Sequence, residues 1–176
     1  MSTTKWSIDT AHSEIGFKVK HMMFTNVSGN FEKFEASIET EGDDFTTAKF
    51  DFSGEIDSIN TGNADRDNHL RSADFFDAGQ FPKLTFKSTS FEKIDEGDYK
   101  LTGDLTLHGV TKSVKLDVEF GGLAKDPWGN TKTGLSATGK INRKDWGLNW
   151  NSALETGGVL VGEEVKLNIE LQFIQQ

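Results

Sequence analysis

Apolar residues at every second position run almost from one end of this chain to the other, and a period of two is the mark of strands with one buried face. Ile15, Phe17 and Val19 alternate with Lys18 and Lys20, and Phe50, Phe52, Gly54 and Ile56 alternate with Asp51, Ser53, Glu55 and Asp57. Leu84, Phe86 and Ser88 follow, then Tyr99, Leu101, Gly103, Leu105 and Leu107, then Val114, Leu116, Val118 and Phe120. Leu135, Ala137, Gly139 and Ile141 give a weaker version, and Val165, Leu167, Ile169, Leu171 and Phe173 close the series. Turn residues fall between the runs, at 41–44, 95–98, 108–109 and 126–130, so most strands connect directly and must pair antiparallel. About eight long strands with no second layer of helices predict an all-β barrel that hides its edges by closing; a sandwich is the competing architecture. The one helical stretch spans 63–72, with Asn63 as N-cap, Asp65 and Asp67 in the first turn, and Arg71 placed to pair with Asp67.

The 176 residues fit one domain, 1–176, with no repeat or linker. Nineteen Lys and Arg against 28 Asp and Glu leave a net charge of −9, which repels phosphate backbones, so nucleic acid is not an expected partner. No cysteine is present, which excludes disulfides, thiolate nucleophiles and cysteine-ligated metals. No apolar run approaches the roughly 20 residues of a membrane span. The first residues carry no basic start, apolar stretch and small-residue cleavage site, which predicts a cytoplasmic protein; removal of an export signal would leave the same sequence and place it in the periplasm.

Fourteen phenylalanines stand in a chain only 35% apolar. An eight-stranded barrel either fills with side chains or encloses one elongated ligand, and periodicity leaves both open. Gly54, Ser88, Gly103, Ala137 and Gly139, on the inward parity, argue for unfilled volume.

Four segments in sequence carry a family resemblance: His12 to Met22 with Val27 to Phe31; Arg66 to Asp77 with Phe81-Pro82; Gly103 to Lys112; and Arg143 to Leu148. Together they resemble the YceI family of polyisoprenoid-binding, lipocalin-like proteins. The resemblance implies an antiparallel eight-stranded barrel with one short helix, whose tunnel holds a long-chain isoprenoid, isoprenoid quinone or fatty-acid-like chain, without a cofactor, and a tendency to form homodimers.

On that reading the tunnel wall is expected from Ile15, Phe17, Val19, Phe52, Ile56, Phe86, Leu105, Leu107, Ile141 and Ile169, with Met22, Phe31, Phe75, Phe76, Trp146 and Trp150 toward the ends. A head-group site at the mouth is expected from Arg66, His69 and Arg143, with His21 nearby, because arginine offers a planar donor fork for phosphate. The alternative has Arg71 on Asp67, Arg66 on a strand carboxylate and His69 capping the barrel end. Two adjacent rings cannot share one face of a strand, so at least one of Phe75 and Phe76 reads as a plug at the barrel end, with a mobile gate as the alternative. Trp146 and Trp150 share a parity with Leu148, and close the opposite wall or pack in the core.

The four histidines, His12, His21, His69 and His108, lack zinc-motif spacing, so no metal site is expected. His108 reads as a solvent position at a hairpin tip, and His12 as bonded to backbone. No Gly-x-Ser-x-Gly elbow appears; a lipid-modifying enzyme using His21 with Glu55 or Asp57, and an interaction module around a filled barrel, are the other two readings.

Overall fold

The computed structural model describes residues 3–22, 24–151 and 161–176. Its strands are β1 (Thr3–Ile8), β2 (Glu14–His21), β3 (Thr25–Phe31), β4 (Phe34–Glu41), β5 (Asp44–Glu55), β6 (Ile59–Asn60), β7 (Lys83–Asp95), β8 (Asp98–Leu107), β9 (Val110–Lys125), β10 (Thr131–Asn142) and β11 (Val161–Gln175), with one α-helix, α1 (Ala64–Arg71). These eleven strands make an eight-membered wall. β1 and β2 are one wall strand broken by the 3₁₀ turn Thr10–His12, and both lie against β11, β1 at its C-terminal end (Ile8 opposite Phe173) and β2 further back (Ile15 opposite Ile169). β3 and β4 form the second member, and β5, turning at Ile56–Ser58 into β6, forms the third. β7 to β11 supply the rest, each antiparallel to the one before, and pairing of β11 with β1 and β2 closes an up-and-down barrel with no free edge.

The break between β1 and β2 is built around Asp9. Its carboxylate accepts from Ala11 N (3.2 Å) and His12 Nδ1 (2.8 Å), and that His12 bond holds the acid below its usual range. The His12 ring is therefore bonded to a side chain, while the His12 amide donates to the Asp9 carbonyl (3.1 Å).

The barrel end that carries the 41–44 and 95–98 turns is filled with aromatic rings. Trp6 lies 5.1 Å from Phe45, Phe45 4.6 Å from Phe120, Phe91 stacks on Tyr99 at 4.5 Å, and Phe50 meets Phe91 at 4.9 Å. The buried Trp6 indole donates to Thr40 Oγ1 (3.1 Å), so this floor leaves no indole N–H unsatisfied.

The inward glycines do not open volume as their parity suggests, because neighbouring side chains lie over them. The Phe86 ring covers Gly103, the Phe17 ring covers Gly29, and Leu116 covers Gly139. Each glycine is the floor on which a large cross-strand residue lies down against the wall. A methyl group at position 103 would strike both the Phe86 ring and the Lys87 carbonyl, so Gly103→Ala should cost about 2 kcal/mol through overpacking. A fall in Tm of about 5 °C is expected for a chain of this size, read by thermal unfolding; an unchanged Tm would mean that the ring is not held there.

Candidate functional site

The opposite end of the barrel is covered by α1, the turn after it and the segment 143–151. The helix starts where Asn63 Oδ1 accepts the Arg66 amide (3.0 Å), as the sequence predicts. The predicted Asp67–Arg71 pair does not form. Asp67 is buried and accepts from Thr61 N (2.9 Å) and Thr61 Oγ1 (2.5 Å), while Arg71 donates to Asn68 Oδ1 and to the carbonyls of Asp57 and Ile59. Both side chains thus anchor the helix to the strand end beneath it.

Between this cover and the aromatic floor lies a cavity of about 310 Å³. Its lining follows β11 from Val161 through Val165, Leu167, Ile169 and Leu171 to Phe173, twelve residue steps, or about 40 Å of strand. Around it stand Ile15, Phe17, Val19, Phe31, Phe52, Phe76, Phe86, Leu105, Leu107 and Ile141, together with Val27, Phe50, Leu84, Leu101, Val114, Leu116, Leu135 and Ala137. Phe17, Phe52, Leu105, Ile141, Leu167 and Ile169 remain only partly covered; their uncovered area faces the cavity. The wall is hydrocarbon along its length, and polar lining groups include Lys20, His21, Thr61, Arg66, His69 and Arg143 near the α1 end.

Three residues expected in the tunnel or at its ends, Met22, Ile56 and Trp146, lie outside the lining. Met22 sits at the tip of the β2–β3 turn with φ of 52° and is 43% exposed. Ile56 begins the 3₁₀ turn that ends β5, where the alternation of the strand stops, and its amide donates to Pro82 O (2.9 Å). Trp146 belongs to another 3₁₀ turn, Arg143–Trp146, and its buried indole donates to Leu105 O (3.0 Å). Trp146 and Trp150 therefore do not share a strand parity: Trp150 lines the cavity, and its ring meets His69 (4.6 Å) and Phe75 (5.3 Å). Phe75 and Phe76 both line the cavity, because they belong to a turn rather than a strand; Phe76 meets Phe31 edge-on at 6.2 Å.

The mouth residues divide by what already holds them. Arg143 is 4% exposed and donates to four carbonyls, those of Leu148 (2.5 Å), Trp150 (2.9 Å), Val161 (3.3 Å) and Gly162 (2.8 Å), with Phe75 beneath it at 5.9 Å. Burial lowers the pKa of this guanidinium, which still stays charged at neutral pH. His69 donates from Nε2 to Asp74 (2.9 Å). Arg66 donates to Thr61 Oγ1 (2.8 Å) and Thr61 O (2.7 Å) and, among the described residues, meets no carboxylate, so it is not paired with a strand acid. Thr61, which orients both Arg66 and Asp67, carries no signal in the sequence that marks it. His108 is not a solvent position: its Nδ1 donates to Trp146 O (3.0 Å) and its ring packs on Phe81. Among the described residues, no three His, Cys, Asp or Glu are grouped to hold a metal, and no helix is long and apolar enough to cross a membrane.

Fold and cavity define the class, a closed antiparallel barrel of lipocalin-like kind with a hydrocarbon interior and a polar mouth. The YceI-like domain family matches residues 6–173, and a UPF0312 protein of Staphylococcus aureus is 43% identical over 171 residues, 97% of each chain. The chain belongs to the YceI-like family. Among solved structures, a Campylobacter jejuni YCEI protein is 40% identical over 96% of each chain with a TM-score of 0.77. Burkholderia cenocepacia BcnA superposes with a TM-score of 0.80 at 22% identity, covering 94% of this chain and 98% of that one. A polyisoprenoid binding domain from Saccharophagus degradans, implicated in plant cell wall breakdown, superposes at 0.72 and 16% identity, covering 97% and 98%. At those two identities the likeness is one of fold.

Proposed function

We propose that this protein binds one long apolar chain, isoprenoid or similar, inside the barrel, and carries or shields it without chemical change. The observation that carries this reading is the cavity wall, where Phe17, Phe52, Leu105, Ile141, Leu167 and Ile169 keep hydrocarbon surface uncovered. Each methylene buried there contributes about 0.8 kcal/mol. Ten such groups outweigh the several kcal/mol lost in immobilising the guest. A wall of this kind reads length and girth, not the pattern of double bonds. The ligand class of the S. degradans domain agrees with this reading. Binding rather than turnover is favoured because Glu55 and Asp57, the carboxylates proposed as partners for His21, do not line the cavity.

Equilibrium titration with a length series of prenyl alcohols tests the proposal. Affinity should rise roughly fourfold per buried methylene until the chain reaches the aromatic floor, and then level off. Affinity independent of length, or no binding at any length, would refute an enclosed chain.

A further inference from the structure

The tip of the β2–β3 hairpin holds two large apolar side chains in water. Phe24 is 81% exposed and Met22 is exposed beside it, and neither lines the cavity. Hairpin tips are ordinarily built from Gly, Asn and Asp. Here Met22 takes a φ of 52°, a conformation that glycine or asparagine adopts more readily. Nothing in the fold of the hairpin calls for an apolar residue there: His21 pairs with Thr25, and the Phe24 amide donates to His21 O (3.2 Å) whatever the side chain. His21 lies opposite Val161, the first residue of β11, and both line the cavity, so the tip stands at the α1 end, beside the mouth.

The outer wall behind this tip breaks a second rule. Lys18 on β2 stands directly opposite Lys166 on β11, and Lys166 directly opposite Lys140 on β10. Like charges abreast destabilise a sheet, yet all three are exposed and side by side, with Lys20 exposed between Lys18 and the tip. Lys140 is answered by Glu164 and Lys144 by Glu163. Lys18, Lys20 and Lys166 have no ion pair among the described residues, and residues 15–31 contain no Asp or Glu. A chain of net charge −9 is repelled on average by an anionic surface, and this face departs from that average.

We propose that the β2–β3 hairpin docks this protein on an anionic bilayer surface, with Met22 and Phe24 entering the interfacial layer and Lys18, Lys20 and Lys166 lying against the lipid phosphates. Anionic heads outside and hydrocarbon beneath is the layering that an apolar point backed by cations fits. Four strand steps, about 13 Å, separate Lys18 from Met22, so a barrel leaning on this hairpin brings tip and lysines to the membrane together and holds the mouth beside it. Docking is separate from chain binding, since Met22, Phe24, Lys18 and Lys166 all lie outside the cavity lining.

Cosedimentation with vesicles of phosphatidylcholine, with and without phosphatidylglycerol, tests the proposal. Wild type should partition onto the anionic vesicles at least tenfold better than onto the neutral ones, with the gap narrowing as salt rises. Phe24→Asp should lower that partitioning at least tenfold, and Lys18→Gln with Lys166→Gln about fivefold per lysine. Trp128→Asp, which removes an equally exposed ring from the turn between β9 and β10 at the floor end, should leave it unchanged. All these variants should keep the Tm and the prenyl-alcohol affinity of wild type. No partitioning, equal partitioning onto neutral vesicles, or partitioning that survives either Phe24→Asp or the double lysine variant overturns the proposal. An equal loss in Trp128→Asp overturns it too, as does loss of alcohol affinity in Phe24→Asp, which would make the tip part of the cavity wall. A wild-type protein that docks but takes up no prenyl alcohol defeats the apolar-chain reading and leaves docking standing.

Discussion

Leu105→Glu is expected to lower affinity for a prenyl chain at least a hundredfold. Leu105 lies on the cavity wall two residues before the end of β8, toward the α1 end, only partly covered, beside Phe86 on the adjacent strand. In the empty barrel a carboxylate there can keep a water shell. A hydrocarbon guest must strip that shell and leave the charge unpaired, at a cost of several kcal/mol, and a loss of about 2.7 kcal/mol already amounts to the hundredfold. The backbone carbonyl of Leu105, which accepts the Trp146 indole, is unchanged by the substitution, so the barrel should still close. Leu105→Met should bind nearly as wild type, and so should Lys87→Glu, which reverses an exposed charge on the next strand. Undiminished binding in Leu105→Glu would mean that the guest sits elsewhere.

Loss of Arg143 should be the largest single effect on stability. Its guanidinium ties Leu148 and Trp150 to Val161 and Gly162, fastening the segment over the barrel mouth to the first residues of β11. Arg143→Leu takes the guanidinium donor from the Leu148, Trp150 and Gly162 carbonyls, while the Val161 carbonyl keeps its bond from Asn151 Nδ2 (2.7 Å), and bonds from a charged donor contribute more than neutral ones. A destabilisation of about 4 kcal/mol follows, or a Tm lower by about 10 °C. Arg143→Lys should recover only part of this, because one ammonium cannot span four acceptors set around a planar fork. Thermal and urea unfolding measure both variants. A Tm within a degree or two of wild type in Arg143→Leu would show that those carbonyls find other donors.

The barrel is legible in the sequence because a half-buried strand writes its inward face at every second position, and Ile15, Phe17, Phe52, Phe86, Leu107 and Ile169 stand in the lining where that alternation puts them. The pattern misleads where the backbone leaves the strand. Ile56 and Trp146 keep the parity of their neighbours but belong to 3₁₀ turns, and Phe75 and Phe76 face the cavity together because a turn does not alternate. Inward glycines cannot be interpreted from parity either. Gly103 looks like missing volume, yet its lack of a side chain is what lets Phe86 lie flat across the next strand. The cations of the mouth are identifiable as residue types but not as roles, since all four acceptors on Arg143 and one of the two that Thr61 gives Arg66 are backbone carbonyls. A backbone carbonyl has no letter of its own in a sequence.

Native mass spectrometry of the protein as purified, followed by solvent extraction of whatever it releases, shows whether the barrel holds a chain. A bound mass of one molecule per barrel that yields a long isoprenoid or similar hydrocarbon chain is expected, with loss of that mass in Leu105→Glu. A bare polypeptide mass that also fails to take up added prenyl alcohols and diphosphates would contradict it.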